Sequence, residues 1–132
     1  TTLSVHGDWF DDDEVPSLTN IQRLRILHIS SNSITHAGLE YLPRLSPLTY
    51  LGIASEEITD AGLEHVGRLA GLKRFVLNTS ELQPWGGFRS NDRITGEGFV
   101  HLKQLHQLTS LDLLGIRVNA TGLSHLQTSA QT

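Results

Sequence analysis

A motif of 24 residues recurs along this chain, and that period limits the folds open to it more than any other property. The motif reads L-x-x-L-x-L/I, a short polar gap, an aliphatic residue, then T/N-x-x-G-L/F-x-x-L/V-x-x-L. One copy runs Leu24, Leu27, Ile29, Asn32, Ile34, Thr35, Gly38, Leu39, Leu42, Leu45. The next runs Leu48, Leu51, Ile53, Glu56, Ile58, Thr59, Gly62, Leu63, Val66, Leu69. A fixed period of this length predicts a solenoid of stacked units, because one unit cannot bury its own apolar edge.

The other copies keep the register. A third begins Leu72, Phe75, Leu77 and resumes at Ile94, Thr95, Gly98, Phe99, Leu102, Leu105; its middle is twelve residues too long, which places an insertion over about 80–93. A fourth runs Leu108, Leu111, Leu113, Val118, Asn119, Gly122, Leu123, Leu126. Stepping back by one period gives a partial copy at Leu3, Val5, Phe10, Asp11, Val15, Leu18, Ile21. The expected organisation is a single domain over 1–132: an irregular amino-terminal capping unit at 1–23, then units 24–47, 48–71, 72–107 and 108–132.

Each part of the motif has a physical reason. Alternation at Leu27-His28-Ile29 or Leu51-Gly52-Ile53 predicts a short strand with every second side chain buried. Thr35, Thr59, Thr95, Asn119 and Asp11 offer a side-chain oxygen to a free N–H at a helix start. Apolar residues three apart, such as Leu63 and Val66, then share one helical face. Pro43 and Gly67 are expected to end these helices after about two turns. The recurring glycine at 38, 62, 98 and 122 costs about 1 kcal/mol against alanine inside a helix. Close approach of neighbouring units is the expected reason for tolerating it.

The segments I-T-H-A-G-L-E-Y-L-P-R-L at 34–45 and I-T-D-A-G-L-E-H-V-G-R-L at 58–69 resemble the leucine-rich repeats abundant in bacterial, especially planctomycete, proteins. Their I-T-D-x-G-L core is also similar to the cysteine-containing repeats of F-box ubiquitin-ligase adaptors, although this chain has no cysteine. The resemblance covers about 3–126. It implies an α/β fold: a right-handed solenoid with parallel strands on the concave side and short helices on the convex side. It also implies recognition of a protein partner on the concave sheet, and it supplies no catalytic residues.

With that fold, the side chains flanking the buried strand positions form three concave columns. These are Thr2, Ile26, Tyr50, Arg74, Ser110; then Ser4, His28, Gly52, Val76, Asp112; then His6, Ser30, Ala54, Asn78, Leu114. Neighbours within a column touch, since adjacent strands lie about 4.8 Å apart. Tyr50 and Arg74 are placed to stack, or Arg74 to reach diagonally towards Asp112. The candidate partner-binding residues on the sheet are Ile26, His28, Tyr50, Arg74, Val76, Asn78 and Asp112, an aromatic and arginine set of the kind that anchors interfaces. Ordinary exposed sheet residues are the alternative reading. In the insertion, Trp85, Phe88 and Arg89 surround Pro84 and Gly86-Gly87, which predicts a turn or hairpin-like excursion. That loop serves either recognition or as a local plug over the solenoid edge.

Other chemistry finds little support. The net charge of −4 is uneven, with −5 in the first fourteen residues and +1 in the rest. No basic stripe marks a nucleic-acid binder. No apolar run approaches the roughly 18 residues of a membrane span. With no methionine in the chain, the expectation is a chain that was processed or cut from something longer, so missing targeting signals weigh little. His65, His101 and His125 recur at one helical position, but packed helices lie about 8–10 Å apart, too far to share a metal ion. They read as surface residues turned from the apolar face. Asp11-Asp12-Asp13-Glu14 lacks the alternating pattern of a calcium loop, and reads as a helix cap with acids in its first turn. No nucleophile–base set is visible. The expected function is non-catalytic protein binding with no metal or cofactor. The alternative is a structural spacer or self-assembly segment of a larger protein, joined through exposed terminal units.

Overall fold

A computed structural model describes residues 2–21, 23–44, 48–79, 81–82, 88–89, 94–95, 97–114 and 116, with the side chains of 81–82 and 88–89 excepted. The motif's strand positions form β1 (Thr2–His6), β2 (Ile26–Ser30), β3 (Tyr50–Ala54) and β4 (Arg74–Asn78). Two short strands, β5 (Glu81–Leu82) and β6 (Phe88–Arg89), follow, and β7 (Ser110–Leu114) completes the set. β1, β2, β3, β4 and β7 lie side by side in that order, every pair parallel. Thr2, Ile26, Tyr50, Arg74 and Ser110 stand in one row, so three steps follow the 24-residue period and the fourth absorbs the insertion. β5 and β6 pair antiparallel within that insertion, Glu81 with Arg89 and Leu82 with Phe88, the hairpin-like excursion anticipated there.

The alternating strand residues point into one core. Leu27, Leu51, Phe75 and Leu77 are fully buried, together with Ile34, Ile58, Leu39, Leu63, Phe99 and Leu102 from the returning segments. These belong to a single apolar cluster between the sheet and the helical segments. Removing a leucine side chain from such a core typically costs about 2–5 kcal/mol.

The returning segments are less regular than the motif predicts. Among the described residues, only α1 (His36–Leu39) and α2 (Asp60–Val66) are α-helical; the segments Val15–Asn20, Leu42–Arg44 and Glu97–Gln104 are 3-10 helices. Asp11 is not a helix cap. Its Oδ1 accepts the N–H of Asp13 at 3.0 Å in a tight turn, and the 3-10 helix starts only at Val15, with Pro16 in its first turn. α2 does end at Gly67 after about two turns, with φ −63° and not through a left-handed turn. A Cβ there would run into the carbonyl oxygen of His101, so close packing of the next segment is what requires glycine.

Polar side chains tie each unit to its neighbour. Buried Ser31 Oγ donates to Phe10 O at 2.6 Å, and buried Ser55 Oγ donates to Ile34 O at 3.0 Å, one unit back in each case. Along the carboxyl ends of the strands, Asp8 Oδ1 accepts Asn32 N–H at 2.8 Å and Asn32 Oδ1 accepts Glu56 N–H at 3.1 Å. Buried backbone groups need such partners, and loops between parallel strands have few others.

At positions 38 and 98 the recurring glycine acquires a specific reason. Asp12 accepts the Thr35 N–H at 2.8 Å and the Thr35 hydroxyl at 2.5 Å. Asp60 repeats this, accepting the Thr95 hydroxyl at 2.7 Å, the Thr95 N–H at 3.2 Å and the Gly98 N–H at 3.2 Å. A carboxylate from one unit thus caps the helical segment of the next, favoured by the partial positive charge there. A Cβ on Gly38 would strike Asp12 Oδ1, and one on Gly98 would lie 2.6 Å from Asp60 Oδ1. His36 stands at the intervening position and gives Thr59 no such carboxylate; Thr59 also makes no side-chain cap bond of its own.

Candidate functional site

Opposite the core, the sheet presents its other face, built from the three predicted columns in their predicted register. Gly52 is the residue that shapes it. A Cβ there would lie 2.6 Å from His28 Nδ1 and 3.4 Å from a Tyr50 ring carbon. Without one, the His28 ring leans across the gap until its centre is 4.7 Å from that of Tyr50, tilted by 50°. On the other side of Tyr50, the Arg74 guanidinium carbon lies 5.4 Å from the ring centre. Arg74 Nη2 also reaches Asp112 Oδ2 at 3.5 Å. The two anticipated arrangements for Arg74 therefore coexist.

These contacts join four candidates, His28, Tyr50, Arg74 and Asp112, in one continuous line across β2, β3, β4 and β7, with His28 and Asp112 in the middle column and Tyr50 and Arg74 in the first. Arg74 and Asp112 keep about half of their side-chain area in solvent, 54% and 50%, so their ion pair is weak, about 0–1 kcal/mol. Stacking on Tyr50 adds about 0.5–1 kcal/mol. Ile26 and Val76 are half-buried flanking residues, beside Tyr50 and beside Gly52 respectively. Asn78 is also half-buried but lies at the carboxyl end of β4, away from the line. There it borders a polar depression of about 350 Å³ with Ser30, Ala54, Asp8, Asn32 and Glu56. The Asn32 and Glu56 N–H groups in it are already taken by Asp8 and Asn32, so this depression offers an anion no row of free donors. Trp85 lies outside the described residues. Phe88 and Arg89 form β6, and their side chains lie outside the described residues too.

Two features were not picked out from the sequence. Trp9 is 69% exposed, its Nε1 donating to His6 O at 2.9 Å and its ring edge-on to Phe10. Gly7, with φ 117°, accommodates that ring where any side chain would collide. The signal was available, since Ser33 and Glu57 occupy the position of Trp9 in later units. The second feature is charge at the amino ends of the strands. Arg25 and Lys73, two periods apart, lie in one row with Thr49 between them: Thr49 N–H donates to Arg25 O and Lys73 N–H to Thr49 O, each at 2.8 Å. Both are exposed and neither makes an ion pair among the described residues.

The histidines differ from expectation. His65 and His101 are half-buried rather than exposed, and His65 Nδ1 is buried without a hydrogen-bond partner; His125 lies outside the described residues. Among the described residues, no group of three or more His, Cys, Asp or Glu is placed to hold a metal ion. None of the described helices is long and apolar enough to cross a membrane. The chain matches no family model and no curated protein.

Proposed function

We propose that the chain is a right-handed leucine-rich-repeat solenoid acting as a non-catalytic protein-binding module, its partner seated on the concave, open face of the sheet. The repeat reading is supported by the all-parallel order and by strand register that follows the 24-residue period. The functional reading rests on one observation, the His28–Tyr50–Arg74–Asp112 line. Its rings and guanidinium are held in place before any partner arrives, which lowers the ordering cost of binding. Tyrosine and arginine are also the residues that most often carry interface energy. The loop over 84–89 is assigned as an accessory contact.

Capture from cell lysate with wild type, Tyr50→Ala/Arg74→Ala and Trp85→Ala/Phe88→Ala tests this. A protein retained by wild type should be weakened by more than about 1 kcal/mol, roughly fivefold, in the first variant, with the circular dichroism spectrum unchanged. Equal retention would sink the site assignment. A second reading, self-assembly or a spacer role, is favoured by β1, which pairs only with β2 among the described strands and whose Leu3 is only half-buried. An open edge strand is a template for pairing. Sedimentation that stays monomeric at high concentration would argue against it.

A further inference from the structure

We propose that the open face of the sheet takes a protein segment that is acidic at one end and apolar after it, with the carboxylates set against Arg25, Lys73 and Arg74. This rests on the reading of that face as a binding surface and specifies its partner.

The argument is the charge polarity of the strand ends that border the face. At the amino ends of the strands, the described residues at 23–25, 48–49, 72–73 and 105–109 include Arg23, Arg25 and Lys73 and no carboxylate. Arg74 begins β4 directly after Lys73. At the carboxyl ends, the residues at 7–8, 31–33, 55–57 and 79 include Asp8, Glu56 and Glu57 and no lysine or arginine. Among the described residues, the amino rim therefore carries basic side chains and the carboxyl rim acidic ones, one strand length apart. A five-residue strand spans about 17 Å, beyond the screening length of roughly 8 Å at physiological salt, so the two rims act separately. A nucleic-acid backbone, negative throughout, meets carboxylates wherever it crosses the far rim. A segment charged at one end only does not.

Arg74 is the anchor. Its guanidinium carbon lies 5.4 Å from the Tyr50 ring centre, and its several N–H donors can take a carboxylate beside that contact. Its bond to Asp112, long at 3.5 Å and half exposed, exchanges readily for a better acceptor. Backbones in adjacent strands are about 4.8 Å apart, so Arg25 and Lys73 sit about 10 Å from one another and a run of acids can reach both. Beyond that rim, Ile26, Tyr50 and Val76 give the apolar continuation its contact.

The test is fluorescence anisotropy with a labelled peptide of consecutive glutamates followed by Leu-Tyr-Leu. Controls are the same peptide with lysines for glutamates, one with serines, and an oligothymidylate. Wild type should prefer the acidic peptide. Arg25→Gln/Lys73→Gln/Arg74→Gln should weaken it about tenfold, and Asp112→Asn should tighten it about threefold by releasing Arg74. Glu64→Gln, on the opposite side in α2, removes the same charge and should leave it within error if the effect is local. Acidic binding that ignores the rim substitutions, or that rises equally with Glu64→Gln, overturns the proposal. So does tighter binding of the oligothymidylate. Preference for the lysine or serine peptide, lost in Tyr50→Ala, overturns the acidic specificity while leaving the face a binding surface. No binding by any peptide overturns the proposal, and the capture experiment then judges the face independently.

Discussion

The Arg74 guanidinium lies 5.4 Å from the centre of the Tyr50 ring, in a neighbouring strand one repeat period earlier. The period brings the two side chains together, because parallel strands in register place residues 24 apart side by side. A double-mutant cycle on Tyr50→Ala and Arg74→Ala, followed by denaturant unfolding, should return a coupling of about 0.5–1 kcal/mol. Strict additivity would show that the stacking contributes nothing in solution.

Gly52 controls the other side of Tyr50. In Gly52→Ala the new Cβ falls where His28 Nδ1 now lies, and the imidazole, being a movable side-chain end, must swing away. Stability should change by less than about 1 kcal/mol, while His28–Tyr50 ring contacts disappear from nuclear Overhauser spectra. Retention of those contacts would mean that the sheet itself shifts.

The carboxylate clamps between units should be worth more. Asp60→Ala leaves the Thr95 and Gly98 donors without their acceptor and should cost about 1–3 kcal/mol in urea unfolding. The converse substitution is sharper. His36→Asp supplies the carboxylate that Thr59 lacks and should stabilise by about 0.5–1 kcal/mol. A loss of stability there would show that the clamp needs more than the right residue at that position.

Two glycines separate close approach from general flexibility. Gly67→Ala directs a Cβ at the His101 backbone carbonyl, which cannot yield as a side chain does, and should cost about 1–3 kcal/mol. Gly71→Ala meets its nearest atom at 3.7 Å, an ordinary contact, and should stay within about 0.5 kcal/mol of wild type. Thermal denaturation of the pair distinguishes the two positions directly.

Much of the fold was legible because the motif encodes it twice. Alternation identified β2, β3, β4 and β7 and their buried sides. The period then paired Ile26 with Tyr50 and Tyr50 with Arg74 before any coordinates. The insertion announced itself as a longer step between repeats, and β5 and β6 lie within it. The helical side was less legible. Propensity and capping residues do not distinguish an α-helix from the 3-10 geometry of Glu97–Gln104, since both start and stop at similar residues and differ in whether each N–H bonds three or four residues back. Trp9 is not legible from the period itself, because Ser33 and Glu57 stand at its position in later units.

By itself the sequence determined the strands, their neighbours, their register and the membership of the open face. All of these follow from periodicity, which acts between adjacent units through burial of alternate side chains. Only the tertiary structure decided how the side chains use that placement. Gly52 lets His28 close on Tyr50, and Arg74 divides itself between a ring and a carboxylate. Asp12, which sequence alone places among the acids of its own helix start, and Asp60 reach across to cap the next unit. The basic amino rim emerged from the same step, as Arg25 and Lys73 came within one row of Arg74. Such contacts depend on side-chain reach and competing partners in three dimensions, and a one-dimensional period carries no information about either.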